Sequence, residues 1–212
     1  MKKIYLIRHA QSQSNAGLII NENHQIALTQ LGYTQAKDLS NWLFEHINEP
    51  VNDVLVSTYL RTQQTAAPYL AKHGVEPVVI EGLREFNYLD FEHIKDLSFD
   101  QVVEMAETFW RTADICHQDS QRTDNFAHFV GRVQQVRAYF DELPNGTYVV
   151  FTHGMWIGML LWQILHADSE RVFDMRRFRE FELAIRPKNC EVYQLLLPSN
   201  TINKVHTRAS DE

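Results

Sequence analysis

Short continuous apolar runs alternate with longer stretches of helical rhythm along most of the chain. Residues 4–7, Ile-Tyr-Leu-Ile, end at the charged pair Arg8-His9, the pattern of a strand buried on both faces. Residues 11–27 hold no period and read as loop. From Thr29, whose hydroxyl can cap a helix, Leu31, Leu39, Trp42, Leu43 and Ile47 recur near helical spacing, and the pattern stops before Pro50. Residues 54–56 predict a second buried strand. A helix then begins near Arg61 and runs toward Gly74, with Pro68 as the weak point in its middle. Residues 78–80 predict a third short strand.

The pattern changes between residues 85 and 125, where aromatic and acidic residues surround two weak helical stretches with no strand-like run. This segment, about 86–125, reads as a helical insertion that packs over the sheet edge and covers the site. Residues 126–143 return to a helical rhythm ending at Pro144-Asn145-Gly146, and residues 148–151, Tyr-Val-Val-Phe, are the clearest buried strand. They run directly into Thr152-His153-Gly154 and an apolar helix through Leu165. Residues 181–185 and 192–197, separated by Pro187-Lys188-Asn189, predict a closing antiparallel hairpin. Strands alternating with helices imply an α/β fold: a three-layer α/β/α sandwich with a mostly parallel central sheet and an antiparallel edge strand. Residues 1–200 are expected to form a single domain and residues 201–212 a polar, mobile tail.

At 212 residues, 44% of them hydrophobic, the chain can bury one sizeable core. Its formal net charge of −7 argues against a nucleic-acid or anionic-membrane surface, since both require a basic footprint. Any anion it binds must be held locally by a few converging cations. Cys116 and Cys190 stand far apart and in no C-x-x-C pairing, so they offer neither a disulfide framework nor a zinc signature. No apolar run reads as a signal peptide or a membrane span, and the expected location is cytoplasmic.

In open α/β sheets, ligands bind outside the carboxyl ends of the strands, where helix N-termini also point. Arg8 and His9 follow the first predicted strand, Arg61 opens the helix after the second, and His153 follows the strand at 148–151. Any one of these alone reads as a solvated or capping residue. Together at equivalent strand ends they read as a site. A phosphate ester carries close to two negative charges and three acceptor oxygens, so breaking its P–O bond calls for cationic donors and an in-line nucleophile. Arginine grips two oxygens with a rigid fork. Neutral imidazole is a competent nucleophile near neutral pH, and two neighbouring arginines favour that neutral form. The leaving alcohol needs a proton donor, and Glu85 is the best placed, with Glu81 and Asp90 as close alternatives.

The segment Leu6-Ile7-Arg8-His9-Ala10-Gln11-Ser12-Gln13-Ser14-Asn15 resembles the Arg-His-Gly signature of the histidine phosphatase superfamily, the phosphoglycerate mutase-like family. Leu28-Thr29-Gln30-Leu31-Gly32-Tyr33-Thr34-Gln35-Ala36 is similar to its Leu-Thr-x-x-Gly-x-x-Gln-Ala stretch. Ser57-Thr58-Tyr59-Leu60-Arg61-Thr62-Gln63-Gln64-Thr65-Ala66 is similar to its Ser-x-x-x-Arg-x-x-x-Thr-Ala stretch. Leu83-Arg84-Glu85 and Thr152-His153-Gly154 follow in the family's order. The resemblance implies that His9 is transiently phosphorylated, that Arg8, Arg61, His153, Asn15 and Gly154 hold the phosphoryl group, and that Glu85 is the acid. It also implies a reaction without a metal or other cofactor.

Two departures separate the chain from the mutases of that family: Gln11 stands where they carry glutamate, and the loop 16–27 lacks their arginine-rich, tryptophan-bearing segment. Ala10 also replaces the usual glycine. The expected function is therefore a phosphatase acting on a small-molecule phosphate ester. Mutase-type transfer and phosphohistidine-protein phosphatase activity are the alternatives, and a non-catalytic phospho-ligand module ranks below them because both histidines are present. Tyr88, Phe91, Met155 and Trp156 are expected to line a leaving-group pocket that favours an apolar or aromatic ester. The apolar hairpin expected at 181–197 could cover a sheet edge or meet a second copy in a homodimer.

Overall fold

Alternation along the first strand divides the molecule into its layers. The computed structural model describes residues 1–18, 21–167 and 169–207. In β1 (Lys2–Arg8), Ile4 and Leu6 face one core and Tyr5 and Ile7 the other, all four buried. The second core is filled by Ala36, Leu39 and Leu43 of α1 (Gln30–His46) and by Ala66 and Tyr69 of α2 (Leu60–His73). Thr29 caps α1 by accepting from the Gly32 N–H at 3.0 Å, as its sequence position predicts. Leu31 turns outward and is exposed. Pro68 is carried inside α2, which ends at Gly74 in a left-handed conformation.

Between these helices runs β2 (Val51–Val56), and after α2 comes the two-residue β3 (Val78–Val79). The segment that follows contains the single turn α3 (Phe91–Ile94) and α4 (Phe99–Thr112), the latter with a full Ser98/Gln101 capping box. Its Phe86, Phe109 and Trp110 pack against Phe126 and Phe129 of α5 (Phe126–Glu142) and Phe178 of a later helix. The insertion thus sits on the helical layer, where its aromatic residues find a core, and not along a sheet edge.

Next come β4 (Gly146–Thr152), buried from Thr147 onward, and α6 (Gly154–Leu165). Residues 181–185 are not a strand. They end α7 (Met175–Ile185), whose N-terminus Asp174 caps by accepting from the Arg177 N–H at 3.1 Å. Met175, Phe178 and Glu182 form its buried face at helical spacing, and Arg179 and Arg186 pair with the Glu182 carboxylate. The closing hairpin lies one step later, between β5 (Val192–Leu197) and β6 (Thr201–His206). The polar residues 201–206 are therefore an edge strand and not a mobile tail. They are polar because an edge strand faces water. Residues 208–212 of the expected tail lie outside the described residues.

Among the described residues the six strands form one sheet in the order β3-β2-β4-β1-β5-β6. The first four are mutually parallel, and β5 and β6 close it in antiparallel fashion. The α/β sandwich is as the sequence predicts, with β5 and β6 together supplying the antiparallel border. Register then fixes the site: Arg8 stands opposite Thr152, and Val56 opposite Phe151. The residues that follow these three strands must emerge side by side.

Candidate active site

His9 is the first residue beyond β1, and its N–H donates to the Thr152 carbonyl at 3.0 Å, one last rung of the ladder with β4. The loop after it is held from three sides. The Ala10 N–H donates to Thr65 Oγ1 at 3.0 Å, the Gln11 N–H donates to Gln35 Oε1 at 2.8 Å, and the Thr29 N–H donates to the Gln11 carbonyl at 3.0 Å. Gly32 is required by the same approach, since a Cβ there would lie 2.1 Å from the Gln11 oxygen. These are the polar and small residues of the two motif stretches around Thr29 and Arg61. Their work is to fix the backbone that carries His9.

The His9 ring has a defined tautomer. Nδ1 lies 2.7 Å from the Ala10 carbonyl, which only accepts, so Nδ1 bears the proton. Arg61 Nε–H donates to Nε2 at 3.1 Å, so Nε2 presents a lone pair. Burial holds the His9 pKa well below the ordinary histidine value, and Arg61 and Arg8 add to the effect. His153 lies beside it with ring centroids 5.2 Å apart, fully buried and likewise kept neutral, first by burial and then by Arg61. Its Nε2 is 2.9 Å from Ser57 Oγ.

Arg61 completes its donor set on a 3-10 turn at residues 23–25, giving Nη1–H to the Asn23 carbonyl at 2.5 Å and Nη2–H to Asn23 Oδ1 at 3.0 Å. Burial lowers its pKa to about 10, which leaves it charged at neutral pH. Arg8 gives Nη1–H to the Pro187 carbonyl at 2.5 Å. Its Nε, and Nδ1 of His153, are buried polar atoms with no partner among the described residues. Gly154 is packed against Arg8, and a Cβ on it would meet Nε at 3.1 Å. Two unsatisfied polar atoms within a ring of cations are what an anion with several acceptor oxygens would satisfy.

Glu85 closes the remaining side. Its carboxyl accepts from the Trp156 N–H and its own neighbour Phe86 N–H at 3.1 Å each, and from the Met155 N–H at 3.2 Å. It therefore sits at the N-terminus of α6, directly after Gly154. Burial raises its pKa above the ordinary glutamate value, against the opposing pull of Arg61, these N–H donors and Arg8. The other two carboxyls considered are engaged elsewhere. Glu81 is exposed and paired with Arg84 at 2.8 Å, and Asp90 is paired with Arg122 at 2.9 Å.

Arg8, His9, Arg61, Glu85, His153 and Gly154 thus converge. Asn15 stays outside this cluster, exposed, with Oδ1 accepting from Asn189 Nδ2 at 3.0 Å. That same Asn189 amide donates to the His9 carbonyl at 2.9 Å, so Asn15 touches the nucleophile's backbone through one intermediary. Asn23, Ser57 and Asn189 were not expected from sequence. Only Ser57 carried a signal, as the first residue of the stretch that holds Arg61.

Of the four residues expected to line a leaving-group pocket, two line a cavity and two do not. Tyr88 and Phe91 line a cavity of about 480 Å³ beside the site, together with Tyr59 and Asn23. Trp156 is fully buried and gives its indole N–H to the Gly82 carbonyl at 2.8 Å, so it is core. Met155 packs against the same core.

The family model for the histidine phosphatase superfamily (branch 1) matches residues 4–196. The chain belongs to that superfamily. A "Probable phosphoglycerate mutase GpmB" of Erwinia tasmaniensis is 28% identical over 184 residues, 83% of this chain and 81% of that one. A Hydrogenobacter thermophilus relative is 35% identical over 92 residues, so the chain spans only 44% of that protein's length. Among solved structures, the alpha-ribazole phosphatase of Shigella flexneri superposes with a TM-score of 0.71 at 21% identity, over 95% of this chain and 94% of that one. A phosphoserine phosphatase mutant of Entamoeba histolytica, in complex with phosphoserine, gives 0.71 at 20% identity, over 97% and 96%. These likenesses establish the histidine phosphatase fold. No helix among the described residues is long and apolar enough to cross a membrane.

Proposed function

We propose that this histidine phosphatase superfamily member hydrolyses small-molecule phosphate monoesters through a phosphohistidine on His9. The observation that carries this reading is the tautomer of His9, whose Nε2 lone pair points at Arg61 while Nδ1–H is tied to Ala10. The incoming phosphoryl group takes the arginine donors onto its oxygens, replacing the Asn23 oxygens and His9 on Arg61, and the freed lone pair attacks phosphorus. Arg8, Arg61 and His153 stabilise the charge that spreads over the equatorial oxygens, Gly154 leaves room for Arg8, and Asn15 steadies the His9 backbone through Asn189.

The P–O bond to the alcohol breaks as the P–Nε2 bond forms, and the departing oxygen takes the Glu85 proton. Water then attacks the phosphohistidine and gives its proton to the Glu85 carboxylate, the P–N bond breaks, and Nε2 recovers its electron pair. No step calls for a metal. With an aryl phosphate, the protein should release a burst of phenol, retain an acid-labile phosphoryl label and keep its activity in a chelator. His9→Ala should retain no label and lose roughly 10⁴-fold or more in kcat. Interconversion of phosphoglycerates faster than hydrolysis would instead support the mutase reading that the Erwinia relative's name raises.

A further inference from the structure

We infer that the cavity beside the phosphoryl site takes the uncharged leaving group of an aromatic or similarly bulky apolar alcohol, and that Asp90 sets this preference by withholding Arg122. This rests on the phosphatase reading of the adjoining site. The cavity is joined to that site by Tyr59, whose ring lies 5.1 Å from the His153 ring and 5.0 Å beneath the Arg61 guanidinium. Its volume of about 480 Å³ is ample for a ring-sized group.

Five aromatic rings, Tyr59, Phe86, Tyr88, Phe91 and Phe99, stand among polar residues in its lining. Phe99, in the first turn of α4, is 62% exposed, an apolar surface that a ring in the cavity would cover. The charges point the same way. Among the described lining residues stand three carboxylates, Glu22, Asp90 and Glu92, against one arginine, one histidine (His24, 3.5 Å from Glu22) and no lysine, with Glu92 paired to Lys95 at 2.6 Å. Arg122 spends its fork on Asp90, with Nε–H to Oδ2 at 3.1 Å and Nη2–H to Oδ1 at 2.9 Å. Asp90 stays ionised: burial favours its neutral form, but hydrogen bonds from Ser120 and the Glu92 N–H, with Arg122, outweigh it and hold its pKa below the ordinary value. A leaving group bearing a carboxylate would meet three carboxylates with no uncommitted arginine to receive it.

Wild-type protein should therefore hydrolyse phenyl phosphate with a kcat/KM at least about tenfold above that for 3-phosphoglycerate. Asp90→Asn keeps an oxygen to cap α3 but removes the charge that holds Arg122, and should move the ratio roughly tenfold toward phosphoglycerate. Adding Arg122→Gln to that variant should reverse the gain. Phe99→Ser, at an exposed position, should lower phenyl phosphate hydrolysis roughly fivefold more than that of phosphoglycerate. Calorimetric titration of His9→Ala protein with both esters reads the same preference as a Kd ratio without turnover. If wild-type protein turned over neither ester, the phosphatase reading would fail, and this titration would still decide the cavity. Tighter or equal binding of phosphoglycerate, or a ratio unmoved by both Asp90→Asn and Phe99→Ser, would overturn the inference.

Discussion

Burial acts on His9 and Glu85 in opposite directions, and the proposed chemistry needs both shifts. It keeps the imidazole neutral, so the lone pair on Nε2 is available, and it keeps the carboxyl protonated to a higher pH than an exposed glutamate. In the proposed reaction the working form pairs neutral His9 with protonated Glu85, so kcat/KM should fall on the acid side as His9 takes up a proton and on the alkaline side as Glu85 loses one. Glu85→Gln separates the two steps. Its pre-steady-state burst with p-nitrophenyl phosphate should survive, because nitrophenolate leaves without a proton, while the burst with an alkyl phosphate should drop by roughly 10²–10⁴-fold. An equal loss on both esters would place the proton elsewhere. His9, Arg61 and His153 were legible in the sequence because each follows a strand whose apolar run is plain. Asn23 and Asn189 were not, since they act across 38 and 180 residues of chain through oxygens and amides that leave no periodic trace.

At the scale of elements, the segment that carries Glu85 is held by one buried carboxylate. Asp124 accepts a bidentate pair from Arg84 at 2.6 and 2.7 Å, a third bond from Arg132 at 2.8 Å, and the Asn87 N–H at 3.3 Å. Its own N–H donates to the Asn87 carbonyl at 2.7 Å, and Arg132 also reaches the carbonyls of Gly82, Arg84 and Glu85. The N-terminus of α5 is thereby clamped to residues 82–87. Asp124→Asn leaves two arginines facing a neutral amide and should cost about 3 kcal/mol, read as a lower urea midpoint at unchanged m-value. An unchanged midpoint would mean that the arginines find other partners. The same scale shows where pattern misleads. Residues 181–185 look like a strand because Phe181, Leu183, Ala184 and Ile185 crowd together, yet the helix turns Met175, Phe178 and Glu182 inward and leaves Leu183 50% exposed. Glu182 is buried because Arg179 on its own helix and Arg186 just past its end neutralise it, a position that a hydrophobic count scores as solvent.

For the whole molecule, a chain of net charge −7 concentrates cations and two neutral histidines at the carboxyl edge of its sheet, and that arrangement ties its stability to pH. His9 is 3% and His153 0% exposed, and both have folded-state pKa values well below the 6.5 of an unfolded histidine. The unfolded chain therefore binds more protons below pH 6.5, and stability must fall as the pH drops from there toward the folded values. The limiting slope is about 1.4 kcal/mol per pH unit for each histidine. Glu85 works the other way: its folded pKa is raised, so folding takes up a proton in the window above 4.5 and recovers part of the loss. Urea midpoints taken at pH 7.5, 6.5 and 5.5 should decline slightly over the first interval and more steeply over the second. In His9→Gln the decline should be about half as steep, because one of the two proton-excluding rings is gone. A decline equally steep in that variant would assign the acid sensitivity to groups outside the site.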